Sequence, residues 1–185
     1  MSGTTSGIIE FMKMNTVVSL IKQFESSGID IWIDGGWGVD ALLGKQTRPH
    51  NDLDIVVQQK DVSELRKILS KQGYKEAKKD DTREWNFVLG NNRGEEIDVH
   101  VVKLDASGNG IYGPEKNNEV YPADSLRAKG VIAGKKVRCL SADYQIKSHL
   151  GYKTGEKDIK DVTALSNMFG IDLPKEYLKR DQSKG

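Results

Sequence analysis

The feature that most constrains this chain is a pair of aspartates, Asp52 and Asp54, inside a segment that predicts a β-strand over 52–57. Because side chains alternate across a strand, both carboxylates lie on one face and the apolar Leu53 and Ile55 lie on the other. Two like charges this close are tolerated when solvent surrounds them or when a divalent cation lies between them, since hard cations prefer oxygen ligands. The pair alone leaves a solvated strand and a metal site equally open.

A third aspartate, Asp98, lies in a second predicted strand, 96–102, where it shares a face with His100. If this strand is a neighbour of 52–57, three carboxylates meet on one face of a sheet. The structural alternative for Asp98 is a surface residue at the end of a strand. Three converging carboxylates repel one another, so the cluster predicts a bound metal ion that compensates their charge.

A glycine pair, Gly35 and Gly36, follows a predicted strand at 29–34 and precedes a predicted helix at 37–43. Glycines let the backbone approach a ligand closely, and free N–H groups at the start of a helix favour an anion such as phosphate. Taken alone, such a pair is more often a tight turn. When three carboxylates lie beside such a turn, a purely structural role for the cluster is harder to justify than a ligand site.

The remaining pattern is mixed α and β, which predicts a mixed fold with helices at the C-terminal end. A Gly- and Asn-rich stretch at 105–118 predicts a long surface loop or a joint between domains. Hydrophobic periodicity and turn residues predict these further elements: helices at 15–27, 61–72, 141–150 and 158–169, a hairpin of strands 85–89 and 96–102, and a short hairpin at 131–140.

Charge and composition exclude several classes of protein. The chain has 185 residues with 28 Lys and Arg against 27 Asp and Glu, and this net charge of +1 argues against a protein that coats DNA or RNA. No apolar run approaches the ~20 residues of a membrane helix. A single cysteine, Cys139, excludes an internal disulfide framework and a Cys-rich zinc site. We therefore expect a soluble, cytoplasmic protein, with a flexible arm or non-native remnant at 1–14 and a loose tail at 179–185.

These motifs, in this order, resemble a known superfamily. A glycine pair, then Asp-Leu-Asp sixteen residues after Gly36, then a later Asp98, is similar to the signature of polymerase-β-like nucleotidyltransferases. More narrowly, the chain resembles antibiotic nucleotidyltransferases that act on aminoglycosides and lincosamides. Four blocks carry that resemblance between about 15 and 169: IWIDGGWGVDALLGKQTRPHNDLDI, IDVHVVKLDASGNG, GVIAGKKVRCLS and HLGYKTGEKDIKDVTAL. The third is similar to aminoglycoside 2″-adenylyltransferases and the second to lincosamide enzymes.

The chain departs from the wider superfamily at one position. The residue after the glycine pair is commonly Ser, and here it is Trp37. A hydroxyl that often contacts the triphosphate is therefore missing. The narrower antibiotic group resembles this chain in having Gly-Gly-Trp, so the departure concerns how phosphate is held.

The resemblance implies an α/β (α+β) nucleotidyltransferase fold in which a mixed β-sheet is flanked by helices. It implies a nucleotidyltransferase core at 15–104. A smaller, mainly helical C-terminal region at 105–178 would lie on the acceptor side of the cleft.

The resemblance also implies roles for the carboxylates. Asp52 and Asp54 would hold Mg²⁺ against the triphosphate of ATP or another nucleoside triphosphate. Asp98 would accept the proton of the acceptor hydroxyl and also contact a metal. The hydroxyl would attack the α-phosphorus in line and release pyrophosphate.

Other residues are candidates for contacts with the nucleotide. Gly35 and Gly36 would face the phosphates, and Arg48 and His50 lie just before the metal pair. A loop charge and a loop imidazole without a ligand are nearly as consistent with the sequence. Lysines in or beside the C-terminal helices could reach the outer phosphates, although exposed lysines are the norm: Lys147 and Lys157.

The function implied is transfer of AMP to a hydroxyl of a small-molecule antibiotic, without a nucleic-acid or membrane partner, by a monomer or a homodimer. An aminoglycoside would need an acidic cleft, for which the candidates are Asp80, Asp81, Glu84, Glu95 and Glu96. A lincosamide would need an apolar wall, for which the candidates are Ile111, Tyr112, Tyr121 and Tyr152. Two alternatives keep the fold: a toxin-type enzyme that modifies protein or RNA, and a catalytically silent binding module.

Overall fold

The architecture is that of a computed structural model, which describes residues 11–114, 119–149, 155–173, 175 and 177. The segments predicted as an arm and a tail lie outside this range, apart from residues 11–14. No helix in the described part of the chain is long and apolar enough to cross a membrane. The helices are α1 (Met14–Ser26), α2 (Gly35–Leu43), α3 (Val62–Lys71), α4 (Ala142–Ser148) and α5 (Glu156–Phe169).

The strands form one large mixed sheet and a separate two-stranded hairpin. They are β1 (Ile31–Ile33), β2 (Asp52–Gln58), β3 (Lys75–Ala77), β4 (Asn86–Gly90), β5 (Glu96–Leu104), β6 (Gly110–Tyr112), β7 (Glu119–Tyr121), β8 (Lys129–Ile132) and β9 (Lys135–Arg138). The large sheet has the order β1-β2-β5-β4-β3, and β6 and β7 extend it beyond the end of β5. Strands β2 and β5 run parallel, and the other pairs in the sheet are antiparallel.

One face of the large sheet is the main apolar core. Helices α1 and α3 cover it through their buried apolar stripes, which include Phe24 and Leu69. Each fully buried side chain of this kind stabilises the fold by about 1.5–3 kcal/mol relative to an exposed one. The sheet contributes the alternate residues of its strands: Leu53, Ile55 and Val57 from β2, Ile97, Val99 and Val101 from β5, and Phe87 and Leu89 from β4.

The opposite face carries the polar residues that the alternation predicts. Asp54 and Asp98 lie there, at the start of β2 and within β5. Further along the same face the strands become apolar and aromatic, and Trp32 donates its indole N–H to the carbonyl of Leu126 at 2.6 Å. Val56 belongs to this second, smaller cluster of buried side chains.

Helix α2 begins two residues earlier than predicted, at the glycine pair itself. The carboxylate of Asp34 accepts a hydrogen bond from the N–H of Gly35 at 2.7 Å, so the helix is capped directly after β1. It ends where Gly44 adopts a left-handed conformation with φ of 70°. The N-terminal end of α2 is thereby fixed beside the polar face of the sheet.

The segment 105–118 is not wholly a loop as predicted. Asp105 anchors a turn by accepting hydrogen bonds from Ser107 and Asn109, and the chain then forms β6, which pairs with β5. The Gly- and Asn-rich composition marks this turn correctly but hides the short strand. Since the sheet continues past 104 into β6 and β7, the division into regions at 15–104 and 105–178 stays a prediction.

The chain after β7 combines strands and helices. The hairpin of β8 and β9 packs against α2 and β1, and α4 and α5 pack against each other and against α2. The predicted mixture of a sheet and flanking helices is confirmed, and the C-terminal region contains two strand pairs as well as its helices.

Candidate active site

The pairing of β2 with β5 brings the predicted carboxylates to one place. Asp54 is the parallel register partner of Asp98, and Asp52 is that of Glu96. Residues in register on neighbouring strands share a face, so Asp52, Asp54 and Asp98 lie on the same side of the sheet. The structure thus has the convergence on which the predicted chemistry depends.

Asp54 is the electrostatic centre of this group. Burial raises the pKa of its carboxyl well above the usual value, and the negative charges of three neighbours raise it further: Asp52, Asp34 and Asp98. The positive charge of Lys157 opposes this effect. The pKa of Asp98 is also raised, first by burial, although His100 acts against the shift. These carboxylates are held where ionisation is costly without a compensating cation.

Asp34 is a fourth carboxylate at the site, and the sequence analysis did not single it out. It is 9% exposed, and burial raises its pKa, with His100 as the main opposing charge. The available signal was its position at the junction of a strand and a helix, where an aspartate acts as an N-cap. The alternation of apolar and polar residues at 29–34 predicts only that Asp34 ends a strand.

The glycine turn is shaped by the side chains that lie against it. Gly35 has φ of +55°, and a Cβ there would overlap the carboxylate of Asp54. A Cβ on Gly36 would overlap the imidazole of His50 and approach Nη2 of Arg48 to 2.9 Å. Only glycine fits at these two positions, whether or not a phosphate also binds to the turn.

Arg48 and His50 form a network with two buried aspartates. Nη1 of Arg48 lies 2.9 Å from Nδ1 of His50, and Nη2 of Arg48 donates to Oδ2 of Asp161 at 2.8 Å. Nε2 of His50 contacts Oδ2 of Asp40. Because a guanidinium only donates, Nδ1 of His50 accepts and its Nε2–H donates to Asp40.

This network changes the interpretation of the two residues. His50 is 3% exposed and both of its ring nitrogens have partners within the protein. A direct contact with phosphate, as predicted, would require one of these hydrogen bonds to break. Arg48 is half-buried beside Gly36, so a ligand at the glycine turn would lie next to its guanidinium. The geometry therefore favours His50 as the support of Arg48.

The two candidate lysines differ in their relation to the carboxylates. Lys147 is exposed in the last turn of α4, and within the described residues it forms no ion pair. Lys157 is exposed at the start of α5, and its charge lowers the pKa of Asp54. Of the two, Lys157 is the one whose charge acts on the carboxylates. Trp37, the residue that departs from the wider superfamily, is 1% exposed and packs against His50 with ring centroids 4.8 Å apart.

An aromatic strip extends from the carboxylates along the same face of the sheet. Nδ1 of His100 lies 2.8 Å from the hydroxyl of Tyr121, and Nε2 of His100 lies 3.7 Å from Oδ1 of Asp98. The ring of Tyr112 lies 5.4 Å from that of His100 and 5.8 Å from that of Tyr121. Tyr144 stacks on Tyr121 at 5.1 Å. We define the aromatic strip as His100, Tyr112, Tyr121 and Tyr144.

The carboxylates have the donor chemistry for a hard divalent cation. Oδ1 of Asp98 is buried without a hydrogen-bond partner in the described part of the chain, and the charges that act on it are those of other carboxylates and of His100, whose Nε2 lies 3.7 Å away. Oxygen donors of this kind suit Mg²⁺. Within the described ranges no group of three or more His, Cys, Asp or Glu has ligating spacing as its side chains stand. The fit is therefore one of charge and donor type.

Comparison with known proteins identifies the family of this chain. Residues 16–165 match the family described as aminoglycoside-2''-adenylyltransferase. The chain is 30% identical over 166 residues to a lincosamide resistance protein of Staphylococcus haemolyticus, which covers 85% of this chain and 99% of that protein. It is 31% identical over 140 residues to a 2''-aminoglycoside nucleotidyltransferase of Escherichia coli, which covers 68% of each chain.

Solved structures show the same fold. The crystal structure of the lincosamide antibiotic adenylyltransferase LnuA with lincomycin bound has a TM-score of 0.75 and 26% identity, covering 88% of this chain and 100% of that one. The aminoglycoside enzyme ANT(2")-Ia in complex with adenylyl-2"-tobramycin has a TM-score of 0.67 and 23% identity, covering 85% and 89% of the two chains. The fold is that of a nucleotidyltransferase. With its family match over most of its length, the chain belongs to the aminoglycoside-2''-adenylyltransferase family of nucleotidyltransferases.

Proposed function

We propose that this nucleotidyltransferase transfers AMP from ATP to a hydroxyl of a lincosamide antibiotic, with Mg²⁺, and so inactivates the drug. The observation that carries the proposal is the parallel register of Asp54 with Asp98, beside a glycine turn and on the face that continues into the aromatic strip. ATP is the first choice of nucleotide, and another nucleoside triphosphate is the alternative. The enzyme would act in the cytoplasm on a small molecule, without nucleic acid or membrane, as a monomer or a homodimer.

The carboxylates would have two roles in the reaction, metal binding and proton acceptance. Asp52, Asp54 and Asp98 would hold the metal, which neutralises charge on the triphosphate and aligns the attacking and leaving oxygens. Asp98 would also accept the proton of the acceptor hydroxyl, whose oxygen then forms the new bond to the α-phosphorus as the bond to pyrophosphate breaks. Burial, which raises the pKa of Asp98, favours its protonated form after that transfer.

The phosphates would bind at the glycine turn. Gly35 and Gly36 supply the start of α2, where backbone N–H groups favour an anion, and Arg48 supplies a guanidinium fixed beside them. His50 supports Arg48 from the buried side. Lys147 stays a proposed contact for the outer phosphates, and Lys157 joins the proposal because its charge acts on Asp54.

Two observations favour a lincosamide over an aminoglycoside. The match to the lincosamide resistance protein spans 99% of that protein, whereas the match to the 2''-aminoglycoside nucleotidyltransferase of Escherichia coli spans 68%. Two acids of the predicted acidic cleft are already engaged: Glu95 is buried against Arg93 and Glu96 binds Lys79 at 2.9 Å.

Two candidates for the apolar wall, Tyr112 and Tyr121, belong to the aromatic strip. Tyr152, which was predicted to be part of that wall, lies outside the described residues. An aminoglycoside remains the second candidate because of the family match and because the charge of Asp81 acts on Asp98.

Turnover of lincomycin and kanamycin by the same preparation tests the proposal. We expect pyrophosphate release with lincomycin and ATP·Mg²⁺, a product whose mass increases by one AMP, and no release in EDTA. Turnover of kanamycin without turnover of lincomycin would show that the acceptor is an aminoglycoside instead. If neither drug is adenylylated, the antibiotic function is wrong, and labelled ATP in a cell lysate then tests for a protein acceptor.

Nucleotide binding separates an enzyme from a silent module. We expect calorimetry to detect binding of a non-hydrolysable ATP analogue that requires Mg²⁺. The absence of any Mg²⁺-dependent binding, together with absent turnover, would favour the silent binding module.

A further inference from the structure

A carboxylate lies at the far end of the aromatic strip, on the same face as Asp98. Glu119, on β7, is the register partner of Tyr112 on β6, and Tyr112 is in turn the partner of Val102 on β5. Val102 shares its face with Asp98 because the two are four residues apart on one strand. Glu119 and Asp98 therefore bound one surface from opposite ends.

The surface between them is continuous. The ring of His100 approaches Asp98 through Nε2 at 3.7 Å, and the ring of Tyr112 follows at 5.4 Å from His100. Burial raises the pKa of the Tyr112 hydroxyl, and the charge of Glu119 raises it further. Burial and then Asp34 raise the pKa of Tyr144 to about 12, and Glu119 contributes. Glu119 thus acts on the hydroxyls of two tyrosines of the strip.

Glu119, like Asp81, is an acidic side chain near Tyr112 that no cation engages among the described residues. Within the described part of the chain it is exposed and forms no salt bridge, whereas Glu96 is paired with Lys79 and Asp124 with Arg127. An aromatic face beside an unpaired carboxylate is the chemistry that recognises a protonated amine, through cation–π attraction and a charge-assisted hydrogen bond. A phosphate or a carboxylate ligand would be repelled at the same place.

The spacing suits an acceptor with its amine and its reactive hydroxyl at opposite ends. Four residues along β5 and two strand spacings across the sheet put the Cα atoms of Asp98 and Glu119 roughly 16 Å apart. The two side chains point out of the same face and shorten the gap between the carboxylates. A molecule of two linked rings bridges such a gap, and a single sugar does not.

We propose that Glu119 and Tyr112 form a binding subsite for the protonated amine of the acceptor, an inference that rests on the proposed function. The subsite sets which acceptors bind and directs the hydroxyl end towards Asp98. It favours an acceptor with one amine at the end distant from the reacting hydroxyl. An acceptor with several dispersed amines gains little from it, because a single carboxylate pairs with one of them.

Steady-state kinetics of Glu119→Gln test the subsite. We expect the KM for lincomycin to rise by about tenfold or more, the loss expected for a charge-assisted hydrogen bond. The kcat should stay within about twofold and the KM for ATP should not change, because Glu119 contacts neither nucleotide nor reacting atoms. Tyr112→Leu should raise the KM for lincomycin in the same direction. Glu64→Gln, on the exposed surface of α3, is the matched control and should leave all constants unchanged.

An acceptor without the charge provides a second measurement. N-demethyllincomycin acylated on its ring nitrogen carries a neutral amide in place of the basic amine and cannot be protonated there, so the wild type and Glu119→Gln should bind it equally by calorimetry. Equal affinity for the acylated drug with unequal affinity for lincomycin identifies the amine as the group that Glu119 binds.

The outcomes separate this inference from the function on which it rests. Turnover of lincomycin by the wild type with an unchanged KM in Glu119→Gln overturns the subsite and leaves the function standing. A wild type that neither turns over nor binds lincomycin overturns both. A penalty in Glu119→Gln that is the same for lincomycin and its acylated form overturns amine recognition, since the effect is then not one of charge pairing.

Discussion

Four aspartate side chains share the end of the sheet face formed by β1, β2 and β5. Asp54 lies at their centre, and the charge of each of the other three raises its pKa: Asp34, Asp52 and Asp98. A fold that gathers like charges in a buried position loses stability there, unless a ligand compensates. At the scale of single residues, this predicts that activity and stability respond to the same substitution in opposite directions.

Asp54→Asn and Asp98→Asn should each lower kcat/KM for the adenylyl transfer by at least about 10³-fold while the Tm of the metal-free protein stays equal or rises. Each change removes a repelling charge and keeps the size of the side chain. Thermal unfolding in EDTA and steady-state kinetics measure the two effects. Asp124→Asn, at an exposed carboxylate outside the group of four aspartates, serves as the control and should leave activity unchanged and the Tm nearly so. Retained activity in either site variant would refute the role assigned to that residue.

The pH dependence of stability has a definite sign. An acid whose pKa is higher in the folded state binds its proton more tightly there, so its stabilising contribution is complete below the unfolded pKa, whose usual value is 3.8. The contribution is lost as the pH rises through the raised folded pKa of Asp54. In EDTA, the free energy of unfolding of the wild type should therefore fall relative to that of Asp54→Asn as the pH rises above about 4. Urea unfolding across this range measures the difference, and a constant difference would contradict the raised pKa.

At the scale of elements, the glycine turn between β1 and α2 has a structural reason that its sequence does not reveal. The spacing of the motif predicts only that a backbone comes close to something. The structure identifies that neighbour as the carboxylate of Asp54, which lies against Gly35. The same turn thus holds a candidate metal ligand in place and offers the start of α2 to an anion.

Gly35→Ala and Gly28→Ala separate backbone strain from this close approach. Both glycines have positive φ, +55° and +73°, so alanine costs each of them about 1–2 kcal/mol of strain. Gly28 has open space around its missing side chain, whereas a Cβ on Gly35 would displace Asp54. We expect both variants to unfold at lower urea concentration and only Gly35→Ala to lose turnover. Equal turnover in the two folded variants would show that the position of Asp54 is not critical.

The sequence predicts the features that depend on the alternation of neighbouring residues along a strand. It does not predict contacts between residues that are distant in the chain. The faces of β2 and β5 follow from apolar residues at every second position, which placed Asp54 and Asp98 correctly. The interaction of Arg48 with Asp161 joins residues 113 positions apart, and no periodicity encodes it. Strand β6 was missed because three residues between turns are too few for a pattern. Asp34 was missed because an N-cap and a strand end look alike in sequence.

The Arg48–Asp161 ion pair joins the loop before β2 to helix α5. Asp161→Asn should lower the free energy of unfolding by roughly 1–3 kcal/mol, because Asp161 is buried and the pair is a charge-assisted hydrogen bond. It should also raise the KM for ATP, since the Arg48 guanidinium loses its charged partner and keeps only the hydrogen bonds to His50 and to the carbonyl of Pro49. Disruption of the exposed Asp124–Arg127 pair by Asp124→Asn should cost less than about 0.5 kcal/mol. Urea unfolding compares the two, and equal small losses would mean that the pair does not join these elements.

At the scale of the whole molecule, the C-terminal helices and the sheet contribute to one site. Helix α5 carries Asp161, which binds Arg48 beside the glycine turn, and Lys157, whose charge acts on Asp54. Helix α2, which begins at the glycine turn, contacts both α4 and α5. A ligand that binds at the carboxylates and the glycine turn therefore lies beside residues of both the sheet and α5, and its binding should be visible as global stability.

Removal of the metal tests this coupling. Saturation of the wild type with a non-hydrolysable ATP analogue and Mg²⁺, at about 100 times the dissociation constant, should stabilise the fold by about 2.7 kcal/mol and raise the Tm by roughly 5 to 10 °C. EDTA should abolish most of the increase, because the analogue alone adds negative charge beside Asp54. Asp54→Asn should show little increase in either condition, although it folds. If the wild type gains as much in EDTA as in Mg²⁺, the carboxylates do not bind the nucleotide through a metal, and their convergence needs another explanation.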